Sequence, residues 1–180
     1  MRMLRTGWFA AFFVCGALIV PSAQAAGGGL SMEHGVIFPA GKTMTLARPC
    51  SRRGPGPIEG TWAPARAQIV ELEVRLGKVF ADAAAARGMP QLSLAGYYRQ
   101  YGGFIIAGRR IIYVNASSLM HEPSPNDPPS VRERRNWRER AFFACDDGAR
   151  SFGVEYDPAT RVFRNFAFDG TLPPPPRKGP

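Results

Sequence analysis

The sequence predicts an α+β domain in which one long N-terminal helix packs on a curved antiparallel β-sheet. Apolar residues recur at helical spacing between Thr61 and Gly88. Strand-like segments separated by turn residues then follow from Tyr97 to Phe168. A helix with one wide apolar face needs a partner surface, and a sheet formed by the later strands provides it.

The first 25 residues are typical of a removable export signal. Arg2 and Arg5 precede an apolar run over residues 7–20, and small residues follow up to Ala25. This run is shorter than the roughly 20 residues that a transmembrane helix needs. We therefore expect cleavage after Ala25, a periplasmic or secreted product and no stable membrane insertion afterwards. An uncleaved N-terminal anchor is the alternative.

Cleavage leaves 155 of the 180 residues, which suits one domain. The whole chain has a formal net charge of +9, and loss of Arg2 and Arg5 leaves +7. This charge favours an anionic envelope component or an acidic protein as partner. Nucleic acid is not expected as a partner, since the chain is exported and lacks the interleaved aromatic pattern of single-strand binders.

Two cysteines remain after export, because Cys15 leaves with the signal. An even pair in an oxidising compartment predicts a disulfide between Cys50 and Cys145. The alternative is a reactive or metal-binding thiol, which is less favoured because no histidine lies near either cysteine in sequence.

Residues 26–60 read as a flexible leader with two short strands, Val36–Phe38 and Met44–Leu46. A single α+β domain is expected over residues 61–172. Residues 173–180 form a proline-rich tail, which we expect to be extended, solvated and disordered.

The helix is predicted from Thr61 as N-cap to a stop at Gly88, with Pro64 in the first turn. Its stripe should bury Leu72, Leu76 and Phe80 against the sheet, widened by Val70 and Val74. Glu71, Arg75 and Lys78 should be exposed.

The strands begin with a hairpin between residues 97–106 and 111–114. Three more strands are expected at Ala141–Cys145, Ser151–Tyr156 and Arg161–Phe168. In Ser151–Tyr156, apolar and polar residues alternate, which predicts that one face of this strand is buried and the other more exposed to solvent. The prolines between residues 120 and 129 exclude regular structure there, and Ser130 is expected to cap a short helix through residues 131–140.

One candidate contact surface is an arginine-rich segment in this irregular region. Guanidinium groups bind carboxylate and phosphate with two hydrogen bonds, and a tryptophan beside them can stack on a sugar. The alternative is a solvated charged turn with the tryptophan in the core. The candidate residues are Arg132, Arg134, Arg135, Trp137 and Arg138.

A second candidate is a ligand-binding face around Tyr98, Arg99 and Tyr101. Aromatic residues in strands more often pack across the sheet, which is the competing interpretation.

No catalytic motif stands out. His34 and His121 are the only histidines, and no serine elbow or calcium loop is present, so no cofactor or metal is expected. A hydrolase would have to use carboxylates, and the candidates are Glu122, Asp146, Asp147 and Glu155.

Three segments carry a resemblance: residues 98–103 (Tyr-Arg-Gln-Tyr-Gly-Gly), 111–115 and 153–158. They resemble segments of small exported bacterial proteins without a settled activity. The order of helix and meander is also similar to cystatin-like and NTF2-like folds. The resulting hypothesis is a non-catalytic binding or inhibitor-like protein of the envelope. A carboxylate-dependent envelope hydrolase and a structural envelope protein are the alternatives.

Overall fold

The computed structural model describes residues 32–120, 124–126, 128–129, 132, 136–143 and 145–170. The expected signal and the proline-rich tail lie outside this range, as do His121, Glu122, Arg134 and Arg135. The principal elements are two helices, α1 (Ala40–Thr43) and α2 (Arg66–Ala85), and six strands. The strands are β1 (Gly35–Ile37), β2 (Gly60–Trp62), β3 (Tyr98–Ile106), β4 (Arg109–Ser117), β5 (Ser151–Asp157) and β6 (Val162–Phe168).

The chain is α+β as predicted, but its six-stranded sheet is mixed. Strands β3 to β6 form an antiparallel meander, and the spatial order is β1-β3-β4-β5-β6. Strand β1 pairs in parallel with residues 99–101, and β2 pairs antiparallel with residues 103–105 on the same edge of β3. The long helix is therefore not N-terminal, because β1, α1 and β2 precede it in the sequence.

Helix α2 covers one face of the sheet, as its periodicity predicted. Leu72, Leu76 and Phe80 are at most 1% exposed, and Arg75 and Lys78 point to solvent. Glu71 is half-buried beside Arg161. The buried apolar face of the helix is narrower than expected. Val74 was predicted to widen it, but this side chain is 72% exposed. Burial of these apolar side chains supplies most of the helix's stability.

The predicted start of this helix is wrong. Thr61 lies in β2, where it pairs with Phe104. The helix begins at Arg66, and the backbone N–H of Ala65 donates to the Gln68 side chain at 2.9 Å. The predicted end is correct, because Gly88 adopts a φ of +71° that suits glycine.

The predicted hairpin joins β3 and β4 through a two-residue turn. Ala107 and Gly108 have φ of +49° and +69°, the positive values of a type I′ turn. Strand β6 contains a bulge opposite residues 153–155, where Asn165 has a φ of +53°.

The prediction that one face of β5 is exposed to solvent is wrong, because all seven residues of this strand are buried. The segment from residue 38 to 59 covers the second face of the sheet. Phe38 and Leu46 pack there on Phe104 and Tyr113. Gly153 allows Arg52 of this segment to approach the sheet closely, since an added Cβ would lie 2.5 Å from the Arg52 Nε.

Three other local predictions differ from the structure. Met44–Leu46 belongs to a 3₁₀ turn, because the chain bends there to cover the sheet. The described part of Ala141–Cys145 forms no strand, since β4 pairs directly with β5. The predicted 131–140 helix agrees at Arg132, which is helical, but its described end, residues 136–140, forms a turn. Residues 32–60 pack as part of the domain and not as a separate leader.

The predicted disulfide geometry is confirmed. Cys50 and Cys145 have Sγ atoms 2.04 Å apart and Cα atoms 5.1 Å apart, although Cys145 does not lie in a strand. Both residues are exposed. Within the described ranges no helix is long and apolar enough to cross a membrane.

Candidate binding groove

The predicted ligand face around Arg99 and Tyr101 is turned toward α2. Tyr101 is fully buried and Arg99 is 8% exposed. The Tyr101 hydroxyl donates to Glu73, and Arg99 forms an ion pair with the same carboxylate at 3.1 Å. Burial and the Glu73 charge together raise the pKa of Tyr101 well above its ordinary value, although Arg99 opposes this. These buried side chains contact the helix, and their part in binding stays a prediction.

A buried polar network occupies the opposite face of the sheet. The Arg52 guanidinium donates to Asp169, Asn115 and the Tyr113 hydroxyl, the last at 3.1 Å. Arg52 is 4% exposed and Asp169 is 1% exposed. Burial raises the pKa of the Asp169 carboxyl, and the nearby Arg52 charge opposes that rise. The network fixes the covering segment over the sheet.

The same network holds the later segment in place. Gln100 donates to the backbone oxygens of Trp137 and Arg140, both at 2.6 Å. Asn115 donates to the Phe142 carbonyl at 3.1 Å and to the Gln100 amide oxygen at 3.0 Å. Two buried amides in the sheet thus position residues 137–142, although this segment has no regular structure.

Trp137 lies in the core, in agreement with the competing interpretation of the arginine-rich segment. It is 2% exposed, and Tyr98 packs edge-on against it with ring centroids 4.9 Å apart. His34 stacks on the other side of Tyr98 at 4.5 Å. The Arg138 guanidinium lies 4.2 Å from the Trp137 ring centre and donates to the Glu33 carbonyl at 2.9 Å. Arg138 therefore closes this stack from outside.

The remaining residues of the arginine-rich segment are at the surface where the structure describes them. Arg132, Arg138 and Arg140 are exposed. Arg132 donates its backbone N–H to the Pro128 carbonyl at 3.0 Å. Arg134 and Arg135 lie outside the described residues, so their part in binding stays a prediction.

A surface groove of about 730 Å³ lies between the covering segment, residues 38–59, and residues 139–143. We call it the cationic groove. One wall comes from α1 and the following 3₁₀ turn, and the other comes from residues 139–143. Met44 and Phe143 present apolar surface there, at 48% and 59% exposure. The lining residues are Lys42, Met44, Thr45, Arg48, Glu139, Arg140, Ala141 and Phe143.

The groove carries an excess of positive charge. Lys42, Arg48 and Arg140 face a single carboxylate, Glu139. Among the described residues, no carboxylate lies close enough to Lys42 or Arg48 to form an ion pair. A groove that combines apolar side chains with cations suits an amphipathic anion. The volume is within the usual 300–1,000 Å³ of ligand sites.

Three of the candidate carboxylates of a hydrolase, Asp146, Asp147 and Glu155, do not line this groove, and the fourth, Glu122, lies outside the described residues. Asp146 and Asp147 flank the disulfide, where Ser51 accepts the Asp146 backbone N–H at 2.8 Å. Glu155 is 8% exposed and lies in β5 beside Tyr113. Among the described residues no group of three histidine, cysteine or acidic side chains is placed to hold a metal ion.

Sequence reasoning missed the central residues Arg52, Gln100, Asn115 and Asp169. Asn115 gave a usable signal, since it places an amide directly after the apolar run of residues 111–114. Gly153 within a strand also indicated a close approach by another segment. Nothing in the sequence singled out Arg52, because it lies in a turn-rich stretch and its partners are 61 to 117 residues away.

Models of protein families, curated proteins and solved structures all returned no significant match to this chain.

Proposed function

We propose that this chain is an exported, non-catalytic binding or inhibitor-like protein of the bacterial envelope, and that the cationic groove binds an anionic amphipathic partner. One observation carries the proposal. The groove combines exposed apolar side chains, Met44 and Phe143, with the cations Lys42 and Arg48, which have no acidic partner in the described residues.

The distribution of acids supports this assignment. Three carboxylates that are buried or half-buried have arginine partners: Glu73 with Arg99, Asp157 with the exposed Arg109, and Asp169 with Arg52. Most described cations stay at the surface. A positive surface attracts anions and accelerates their encounter, which is useful where envelope components carry phosphates and carboxylates.

Export and fold family remain parts of the same proposal. The N-terminal signal pattern and the cysteine pair favour the periplasm or the exterior, where a disulfide persists. The order of α2 and the antiparallel meander β3–β6 is the basis for comparing the chain with cystatin-like and NTF2-like folds.

The hydrolase alternative has less support. A catalytic acid needs a raised pKa and access to a cleft. Burial raises the pKa of the Asp169 carboxyl, but this side chain contacts Arg52 inside the domain and lines no groove. A structural envelope protein would not need Lys42 and Arg48 beside exposed apolar side chains.

The binding test uses the mature chain, residues 26–180, with defined anionic surfaces. We expect it to sediment with phosphatidylglycerol vesicles or with purified peptidoglycan sacculi, and not with phosphatidylcholine vesicles. Binding should weaken as salt rises from about 0.01 to 0.15 M, because the screening length falls from about 30 to 8 Å. Equal sedimentation with neutral vesicles, or binding that ignores salt, would contradict the proposal.

A matched pair of variants localises the effect. Arg48→Glu should weaken binding, whereas Arg66→Glu should not, since Arg66 is exposed at the start of α2 on the other face of the sheet. Both change the charge by two units. Exposed substitutions of this kind seldom change the free energy of unfolding by more than about 0.5 kcal/mol. Equal loss of binding in both variants would show that net charge, and not the groove, is responsible.

A further inference from the structure

Strand β6 forms an open edge of the sheet. It pairs with β5 alone among the described strands, whereas at the other end of the sheet β1 and β2 both pair with the outer side of β3. An edge strand presents backbone N–H and C=O groups that can pair with another extended chain.

A second groove runs along this edge, between α2 and β6, and we call it the α2–β6 groove. It consists of two hollows in series, of about 530 and 490 Å³. Val74, Val79 and Phe163 give the first hollow its apolar surface. Ala83, Ala86 and Phe166 line the second. The grooves that accept extended peptides in other proteins likewise place pockets for side chains beside an edge strand.

Part of the apolar surface of the α2–β6 groove is open to solvent. Val74 is 72% exposed although it lies in a helix whose opposite face is fully buried. Phe163 and Phe166 are half-buried at the sheet edge. Contiguous exposed apolar surface beside a strand edge marks an interaction site.

The charges around the groove define the partner. Arg75, Lys78 and Arg161 line its first hollow, and Arg87 lines the second. Two acids offset part of this charge, through the ion pairs of Arg161 with Glu71 at 2.5 Å and of Lys78 with Asp82 at 2.7 Å. The groove therefore keeps a positive excess and suits a chain with acidic side chains.

Other occupants fit less well. Two copies of β6 would bring Arg161 and Arg164 of one chain close to those of the other, and like charges at a strand edge oppose such pairing. The C-terminal sequence after Gly170 is itself basic. Its four consecutive prolines, residues 173–176, have no N–H groups to donate to a strand.

We propose that an extended acidic segment of a partner protein adds as a strand to β6 and places apolar side chains in the two hollows of the α2–β6 groove. This site lies on the helix-covered face and is independent of the cationic groove.

A synthetic peptide tests this proposal directly. The probe is an eight-residue fluorescent peptide in which glutamate alternates with valine, and fluorescence anisotropy measures its binding to the mature chain. Hydrogen exchange of the amides of residues 162–168 should slow when it binds. A peptide with alternate N-methylated amides, or with lysine in place of glutamate, should bind at least about tenfold more weakly, a difference of about 1.4 kcal/mol. Equal binding of either control peptide, or unchanged amide exchange, would overturn the proposal.

Charge variants locate the site. The double variant Arg75→Glu/Lys78→Glu should weaken peptide binding about tenfold or more. Arg53→Glu/Arg66→Glu, which makes the same charge change at exposed positions outside the groove, should stay within about twofold. Equal loss in both variants would contradict the site. A dimer of the free chain, or a tenfold gain in affinity on removing residues 171–180, would assign the edge to another occupant.

Discussion

Replacing Arg52 with methionine should destabilise the domain strongly. The guanidinium is the partner of the buried Asp169 carboxylate and also contacts Asn115 and Tyr113. Removing one member of a buried ion pair costs about 3–5 kcal/mol, because the other charge stays buried without compensation. Urea unfolding followed by tryptophan fluorescence measures this loss, since Trp137 is buried on the affected face.

The stability lost in Arg52→Met should be larger at neutral pH than at acidic pH. Burial already raises the pKa of the Asp169 carboxyl in the folded protein, and Arg52 opposes that rise. Without Arg52 the folded-state pKa rises further, so the folded protein takes up a proton more readily than the unfolded chain. The deficit of Arg52→Met should be greatest at neutral pH. It should shrink as the pH falls through the raised pKa toward the ordinary aspartate value of about 3.9.

A second variant separates charge from packing. Arg52→Met/Asp169→Asn removes the unpaired charge and should recover about 1–3 kcal/mol of the loss at neutral pH. Asp169→Asn alone is the control that completes the cycle. A loss below about 1 kcal/mol for Arg52→Met, or a deficit that does not change between pH 7 and pH 4, would refute this reasoning.

Two further predictions concern the core and the disulfide. Leu76→Ala should lower the free energy of unfolding by about 2–5 kcal/mol, because Leu76 is fully buried between α2 and the sheet; a loss under about 1 kcal/mol in urea unfolding would contradict that packing. The native protein should show no free thiol to a labelling reagent, and two free thiols would exclude the bond between Cys50 and Cys145. Reduction should cost up to about 4–5 kcal/mol, since the bond closes a long loop.

The helix-covered half of the fold was predictable because its signals are periodic. Leu72, Leu76 and Phe80 recur at helical spacing, so the sequence alone identifies the buried stripe. The β3–β4 hairpin was predictable because Gly108 marks a tight turn between two apolar runs. The start of α2 was not, since Thr61 is a good N-cap residue by type and only its long-range pairing with Phe104 places it in a strand.

The second face of the sheet could not be predicted in the same way. The segment that covers it has no repeating pattern, and short apolar runs such as residues 44–46 do not distinguish a strand from a 3₁₀ turn. Its position depends on single long-range contacts, such as that of Arg52 with Asp169, which leave no local trace. The cationic groove was missed for this reason, because both its walls belong to these irregular segments.

Three consecutive residues hold the covering segment on the sheet. Cys50 is bonded to Cys145, Ser51 accepts the backbone N–H groups of Asp146 and Gly170, and Arg52 enters the buried network. Segments held by a few long-range contacts open at lower free energy than a helix–sheet core. The walls of the cationic groove therefore depend on this attachment, while α2 and the α2–β6 groove depend on apolar packing. A loss of the disulfide should loosen the first groove before the second.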